Sequence, residues 1–243
     1  MPEPYYSHAG QTIYFGDARE ILPQLEGIEA IVSDPPYGMN NSADSTRFSG
    51  GNTRRGGGYK HEKIIGDDED FDPTYLLSYP KVILWGANHY WNRLPKGGCL
   101  IWLKRNDPAF GTFLSDAELA FVSGIQGVYA YRRVFQGSQR ALDAGFDAYQ
   151  PSAHPNQKPV ELCKFCFQFA PNAKLICDPY CGSGSTLVAA KEEGISCIGI
   201  EIEERYCEVA ANRLSQEIIV FPEESCDQEA QGNPQLPIFE ESF

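Results

Sequence analysis

The stretch from residue 173 to residue 201 leaves this chain little choice of fold. Ala173-Lys-Leu-Ile-Cys177 reads as a short buried strand, and Leu187-Val-Ala-Ala-Lys-Glu-Glu193 as a helix that Gly194 ends. Ser196-Cys-Ile-Gly-Ile200 is a second strand, with Glu201 at its end. Between the first strand and the helix lies Asp178-Pro-Tyr-Cys-Gly182-Ser-Gly184-Ser-Thr186, a turn whose glycines let backbone approach a ligand closely. Two strands joined through a helix run parallel, and parallel strands are covered on both faces. An open α/β sheet is expected, with its ligands at the carboxyl ends of the strands.

Glu201 follows Gly182 by 19 residues. A strand, a glycine turn, a helix and a strand-end acid about 20 residues on is the Rossmann-type arrangement, and the acid suits a ribose diol. The spacing is not Gly-x-Gly-x-x-Gly and no P-loop lysine follows, so neither a dinucleotide pyrophosphate nor a triphosphate is specifically indicated. An adenosine-containing ligand without phosphates fits better, with Asp178 placed to hold its ammonium group.

A second acidic strand end lies near the start of the chain. Ile28-Glu-Ala-Ile-Val32 reads as a buried parallel strand, and Asp34-Pro35-Pro36-Tyr37 follows it. The prolines have no N–H, so nearby carbonyls stay free to accept bonds from a ligand. A carboxylate, a free carbonyl and an aromatic face together suit a planar ring with an exocyclic amino group. An ordinary strand-to-loop turn would use the same residues. Before it, Gln11-Thr-Ile-Tyr-Phe-Gly16-Asp17 is a strand ending in a turn, and residues 18–25 have helical apolar spacing.

Residues 38–72 carry loop chemistry without periodicity. From Asp44 to Lys63, Arg47, Arg54, Arg55, Lys60 and Lys63 stand against Asp44 and Glu62, a local charge of +3. Positive, glycine-rich and interleaved with Phe48 and Tyr59, this segment suits a phosphate backbone. Further strands are expected at 81–86, 99–103 and 127–135, while residues 115–121 fit either a helix or an edge strand. Residues 136–155 are again loop-like. Pro159 to Phe169 reads as a helix with proline in its first turn, and a last helix runs from Glu203 to Leu214. Trp85, Trp91 and Trp102 are expected in the core or the pocket wall. His89 and His154 lack partners at metal-ligand spacing, and Cys163 and Cys166 lack a credible second pair, so no metal is expected.

At 243 residues the chain suits one α/β domain, with residues 38–72 and 104–155 as an insert or loops. Its net charge is −13, but the seven acidic and no basic residues after Arg213 supply −7 of it. Residues 215–243 read as a flexible acidic tail. No signal peptide and no apolar run of about 18 residues is visible, so no membrane association is expected. The eight cysteines then read as reduced cytoplasmic thiols.

Taken together, Asp34-Pro-Pro-Tyr37, His154-Pro-Asn-Gln-Lys-Pro159, the turn 178–186 and Gly199-Ile-Glu201 resemble the amino-methyltransferases of DNA, over most of residues 11–214. The order, with the tetrapeptide first and the glycine turn last, resembles their β group and argues against RNA and protein methylases. That resemblance implies a seven-stranded, mostly parallel Rossmann-like sheet, circularly permuted in chain order. It implies S-adenosylmethionine as cofactor and DNA as partner, and allows a homodimer and a cognate restriction enzyme. Carried over by position, Asp34 and the Pro35 carbonyl bind the target amine, Pro36 shapes the turn, and Tyr37 stacks on the flipped base. Asp178, Gly182, Gly184 and Thr186 line the methionine end of the cofactor, and Pro179, Tyr180, Ser183 and Ser185 are cofactor-binding with them. Glu201 takes the ribose, Asp17 lies near the adenine, and Lys158 falls on the cofactor side. Tyr180 stands where phenylalanine is usual and Ser185 where threonine is common, and no separate target-recognition domain is visible. No Pro-Cys dipeptide occurs, which disfavours cytosine-C5 chemistry. The acid ahead of Pro-Pro-Tyr favours adenine N6 over cytosine N4, with a catalytically silent binding subunit as the reading from another class.

Overall fold

The computed structural model describes residues 2–38, 65–105, 110–111, 115–133 and 157–216. Arg47, Arg54, Arg55, Lys60, Lys63, His154 and nearly all of the acidic tail lie outside the described residues. The strands are β1 (Tyr6–His8), β2 (Gln11–Phe15), β3 (Ala30–Ser33), β4 (Lys81–Trp85), β5 (Gly98–Leu103), β6 (Ala117–Val122), β7 (Val128–Arg132), β8 (Leu175–Asp178) and β9 (Ser196–Glu201). Four α-helices accompany them: α1 (Ala18–Ile21), α2 (Val160–Phe167), α3 (Ser185–Glu192) and α4 (Glu204–Ser215).

All nine strands join one sheet in the order β1-β2-β9-β8-β3-β4-β6-β5-β7. β2, β9, β8, β3 and β4 run parallel to one another, while β1 and β6 are antiparallel to their neighbours. The sheet is mostly parallel and Rossmann-like, as the sequence implies, and among the described residues two edge strands bring its count to nine. Short β1 and exposed β7 extend it at the two edges. Residues 115–121, open between helix and edge strand, form an interior antiparallel strand. β6 lies between β4 and β5.

Alternation along the central strands explains why the sheet is buried on both faces. Val32, Ile83 and Trp85 point to one apolar cluster, where α2, α3 and α4 pack. Ile31, Val82 and Leu84 point to a second cluster with α1. The helix expected over residues 18–25 is a single α-turn followed by a 3-10 turn at Leu22–Gln24, with Pro23 lacking the N–H an α-helix would need there. Part of the segment expected to be loop is core. Phe71 is buried and meets both Tyr90 and Tyr180 edge-on. Trp85 and Trp102 are buried as expected, but Trp91 is 46% exposed on a 3-10 turn, Trp91–Arg93, beyond β4.

β8 is the switch point of the sheet. β9 and β2 lie on one side of it, and β3 and β4 on the other. The cleft outside the carboxyl ends of β8 and β3 is where such a sheet binds ligands.

No described helix is long and apolar enough to cross a membrane. Among the described residues no group of His, Cys, Asp or Glu is arranged to hold a metal ion.

Candidate active site

A cleft of about 600 Å³ opens at those carboxyl ends. Every described candidate residue except Gly184 lines it, from Asp17 and Glu201 at one end to Asp34 and Tyr37 at the other. Gly184 instead sets the shape of the turn. Its φ of +79° is left-handed, and a Cβ there would stand 2.8 Å from that of Ala210 in α4. Arg213 of α4 holds the same turn from behind, donating to the Ser183 carbonyl at 2.6 Å.

Asp178 is buried and accepts three hydrogen bonds, from Ser33 Oγ at 2.6 Å, Thr186 Oγ1 at 2.6 Å and the Tyr180 amide at 3.1 Å. Burial pushes its carboxyl up to about 6, against the pull of those donors. Glu201 accepts from the Gly182 and Glu203 amides, each at 2.8 Å, and burial lifts it to about 7. Both acids are thus tied to the backbone of the turns that they shape. At the neighbouring strand end Asp17 caps α1, accepting from the Arg19 amide at 2.8 Å. Tyr180 reaches across to Tyr75, their hydroxyls 2.6 Å apart.

The other end of the cleft is built around Asp34. Its Oδ2 accepts from Lys158 Nζ, while Oδ1 is buried with no hydrogen-bond partner among the described residues. Burial raises the Asp34 carboxyl, and Lys158 draws it back down. Lys158, expected on the cofactor side, is in direct contact with the Asp34 carboxylate. It also lies 3.1 Å from Glu118. Glu118 in turn accepts from Lys104 at 2.8 Å. Burial opposes Glu118's charge, but the two lysines outweigh it and hold the carboxyl at about 2. Burial likewise opposes Lys158's charge, and the two acids raise it above the ordinary lysine range.

Tyr37 is half-buried, stacks on His89, and packs so closely on Gly86 that a Cβ there would come 2.5 Å from two ring carbons. Burial raises its hydroxyl above the usual phenol range, so it stays protonated.

Sequence reasoning missed Glu118, Lys104, His89, Gly86 and Arg213. Gly86 carried a legible signal, a glycine directly after a buried strand. The others are fixed only by how distant strands and helices meet.

The family profile for DNA methylase matches residues 81–212, just over half of the chain. The Type II methyltransferase M2.LlaDCHI of Lactococcus lactis subsp. cremoris is 24% identical, over 89% of this chain and 93% of that protein. Among solved structures, the PvuII DNA methyltransferase, described as cytosine-N4-specific, matches with a TM-score of 0.56 at 15% identity, covering 90% of this chain and 91% of that one. An M1.HpyAVI-SAM complex matches at 0.51 with 18% identity, covering 85% and 100%. These two likenesses are likenesses of fold.

Proposed function

The chain belongs to the N6/N4 DNA methylase family, and from that premise we propose that it methylates the exocyclic N6 of adenine in a base turned out of the DNA duplex. The methyl donor is S-adenosylmethionine. The observation that carries the reading is the buried Oδ1 of Asp34 beside the ring of Tyr37, unpartnered among the described residues. A buried acceptor left unpaired is costly, and an incoming N–H removes that cost.

The residues present fit the cofactor. Glu201 and Asp17 end adjacent parallel strands, where a ribose and an adenine can be held, and the turn 182–186 approaches with small side chains. When bound, S-adenosylmethionine supplies an electrophilic methyl group on a sulfonium centre.

The chain's own residues prepare the nucleophile. An exocyclic amine has its lone pair delocalised into the ring. Asp34 Oδ1 and the Pro35 carbonyl, each accepting one N–H, favour a tetrahedral nitrogen and aim its lone pair outward. Tyr37 fixes the plane of the ring. As the nitrogen takes the methyl group that bound S-adenosylmethionine would supply, one N–H proton would leave towards Asp34. Positioning and a preorganised acceptor do most of the catalytic work.

Adenine is favoured over cytosine by Asp34 itself, through the resemblance of Asp-Pro-Pro-Tyr to adenine-specific members. Arg47, Arg54, Arg55, Lys60 and Lys63 are proposed to bind the flanking phosphates. A second copy of the chain and a cognate restriction enzyme are the further partners that this reading allows.

The test is nucleoside mass spectrometry of unmodified DNA incubated with the protein and S-adenosylmethionine. N6-methyladenine is the expected product. N4-methylcytosine alone would give the alternative amine, and 5-methylcytosine would sink the mechanism. DNA left unmethylated beside intact cofactor binding would make the chain a silent binding subunit. Asp34→Ala should abolish transfer and keep cofactor affinity within about threefold, because an uninvolved contact changes binding by less than ~1 kcal/mol.

A further inference from the structure

β6 does more than fill the sheet. Trp85, the last residue of β4, pairs with Ala120, so Ala117, Glu118 and Leu119 of antiparallel β6 continue past the carboxyl end of β4. That carries Glu118 into the cleft beside Asp34. The pairing of Trp102 with Glu118, continued by the Lys104 amide donating to the Asp116 carbonyl at 3.2 Å, sets Lys104 diagonally beside Glu118. A continuous chain of charge results. Lys104 Nζ meets Glu118 Oε1 at 2.8 Å, and Glu118 Oε2 meets Lys158 Nζ at 3.1 Å. Lys158 then donates to Asp34 Oδ2.

An ammonium has three donors and a carboxylate about four acceptor sites. Paired with Asp34 alone, Lys158 would be free to cover both oxygens of the carboxylate, and no acceptor would be left for a substrate. Glu118 takes part of the lysine's donor capacity, and Lys104 keeps Glu118 from turning away. Neither Glu118 nor Lys104 belongs to the tetrapeptide or to the glycine turn.

We propose that Glu118, anchored by Lys104, is a positioning residue that holds Lys158 on Oδ2 of Asp34 and so keeps Oδ1 open for the target amine. The proposal rests on the reading of Asp34 as the amine acceptor. Glu118 meets Lys104 and Lys158, and acts on Asp34 through Lys158. Its removal therefore leaves a signature that general loosening does not. Lys158 gives its whole charge to Asp34, so ionised Asp34 persists to lower pH, while the covered Oδ1 accepts the amine poorly. Tyr37, Tyr90 and Asp178 also face Asp34 and are common to every variant compared.

The experiment is a single-turnover pH–rate profile of the full chain on unmodified genomic DNA with radiolabelled S-adenosylmethionine, beside calorimetric cofactor binding and thermal unfolding. For Glu118→Gln the plateau rate should fall about ten- to a hundredfold, the weight of one hydrogen bond to a charged group. Its acid limb should move to lower pH, with cofactor affinity unchanged within about threefold. Lys158→Met, which removes the opposite charge, should move the acid limb the other way, up by about 1–3 units. A Glu118→Gln limb that stays in place or moves up overturns the proposal, as does cofactor affinity falling in step with the rate. If Glu118→Gln does not fold, Glu118→Asp decides: it keeps the charge but shortens the reach, and a wild-type plateau rate overturns the clamp. Wild-type protein that methylates no amino group sinks the reading of Asp34 and the clamp with it. Active wild type beside an indistinguishable Glu118→Gln sinks the clamp alone.

Discussion

The imidazole of His89 lies flat on the phenol of Tyr37, ring centroids 4.4 Å apart and planes inclined by 5°. The stack sets the plane that a base must share if it is to lie on Tyr37. Tyr37→Ala should raise KM for DNA about ten- to a hundredfold, since stacking on an aromatic side chain is worth ~1–3 kcal/mol per base. Tyr37→Phe should cost little. His89→Ala should cost about two- to tenfold, from ~0.5–1.5 kcal/mol per aromatic pair. Steady-state kinetics on one duplex checks all three, and equal losses for Phe and Ala would make the hydroxyl essential.

Gly86→Ala is expected to be far more damaging than its size suggests. Its φ of +74° is left-handed, and the new Cβ would meet two carbons of Tyr37 at 2.5 Å. The conformational part alone costs about 1–2 kcal/mol, read as a lower urea midpoint. Methyl transfer should fall further than stability does, because Tyr37 must move. Full activity in a destabilised Gly86→Ala protein would show that the position of Tyr37 is unimportant.

Acidity should act on folding and on cofactor binding in opposite senses. Burial lifts Glu201 to about 7 and Asp178 to about 6, above their unfolded values of 4.5 and 3.8. Between the unfolded and the folded value the folded state binds more protons, so stability falls as pH rises through that window. The unliganded protein should therefore lose melting temperature between about pH 5 and pH 7. A cationic cofactor favours the ionised acids, so its affinity should rise across the same interval. Thermal scans and calorimetric titrations at several pH values test both slopes, and Glu201→Gln should flatten each.

Arg213→Ala should weaken the cofactor site without touching the cleft. The guanidinium donates to the Ser183 carbonyl at 2.6 Å and lies 3.3 Å from its hydroxyl. A hydrogen bond from a charged group is worth ~1.5–3 kcal/mol, so a rise of about tenfold or more in the cofactor's Kd is expected. Unchanged affinity by calorimetry would mean that Gly184 and the packing of α3 hold the turn unaided.

Replacing Arg54 and Arg55 together should flatten the slope of log affinity against log salt by about 1.8, at ~0.9 per phosphate contact. The methylated sequence should stay the same, because phosphate contacts carry no base information. An altered sequence preference with an unchanged slope would make them base readers instead.

The glycine turn, its flanking strands and both strand-end acids were legible because each depends on neighbours within about 25 residues, where spacing and turn chemistry suffice. Glu118 was not legible. Residues 115–121 suit a helix as well as a strand, and only the insertion of β6 between β4 and β5 turns that carboxylate towards Asp34. Lys158 was found as part of a motif, but its contact with Asp34 was not, since that partner is 124 residues away in sequence. Trp91 shows the limit of size as a guide, for a short 3-10 turn carries that large ring to the surface. Edge strand β1 was missed for a related reason, while β7 was expected at 127–135. Three-residue β1 is too short to show a period.

The pairing of β3 with β8 also has a bearing on how the enzyme is made. Ser33 and Asp178, which share a 2.6 Å hydrogen bond across that seam, are 145 residues apart. A ribosome adding about 5–20 residues per second needs on the order of ten seconds to cover that interval. Throughout it, β3 waits with an unpaired parallel edge, and the seam at the middle of the sheet is among the last to close. A chain interrupted before Asp178 would carry Asp34 and lack the glycine turn proposed to hold the methyl donor. On the proposed roles, methyl transfer begins only with chains whose translation has passed the glycine turn.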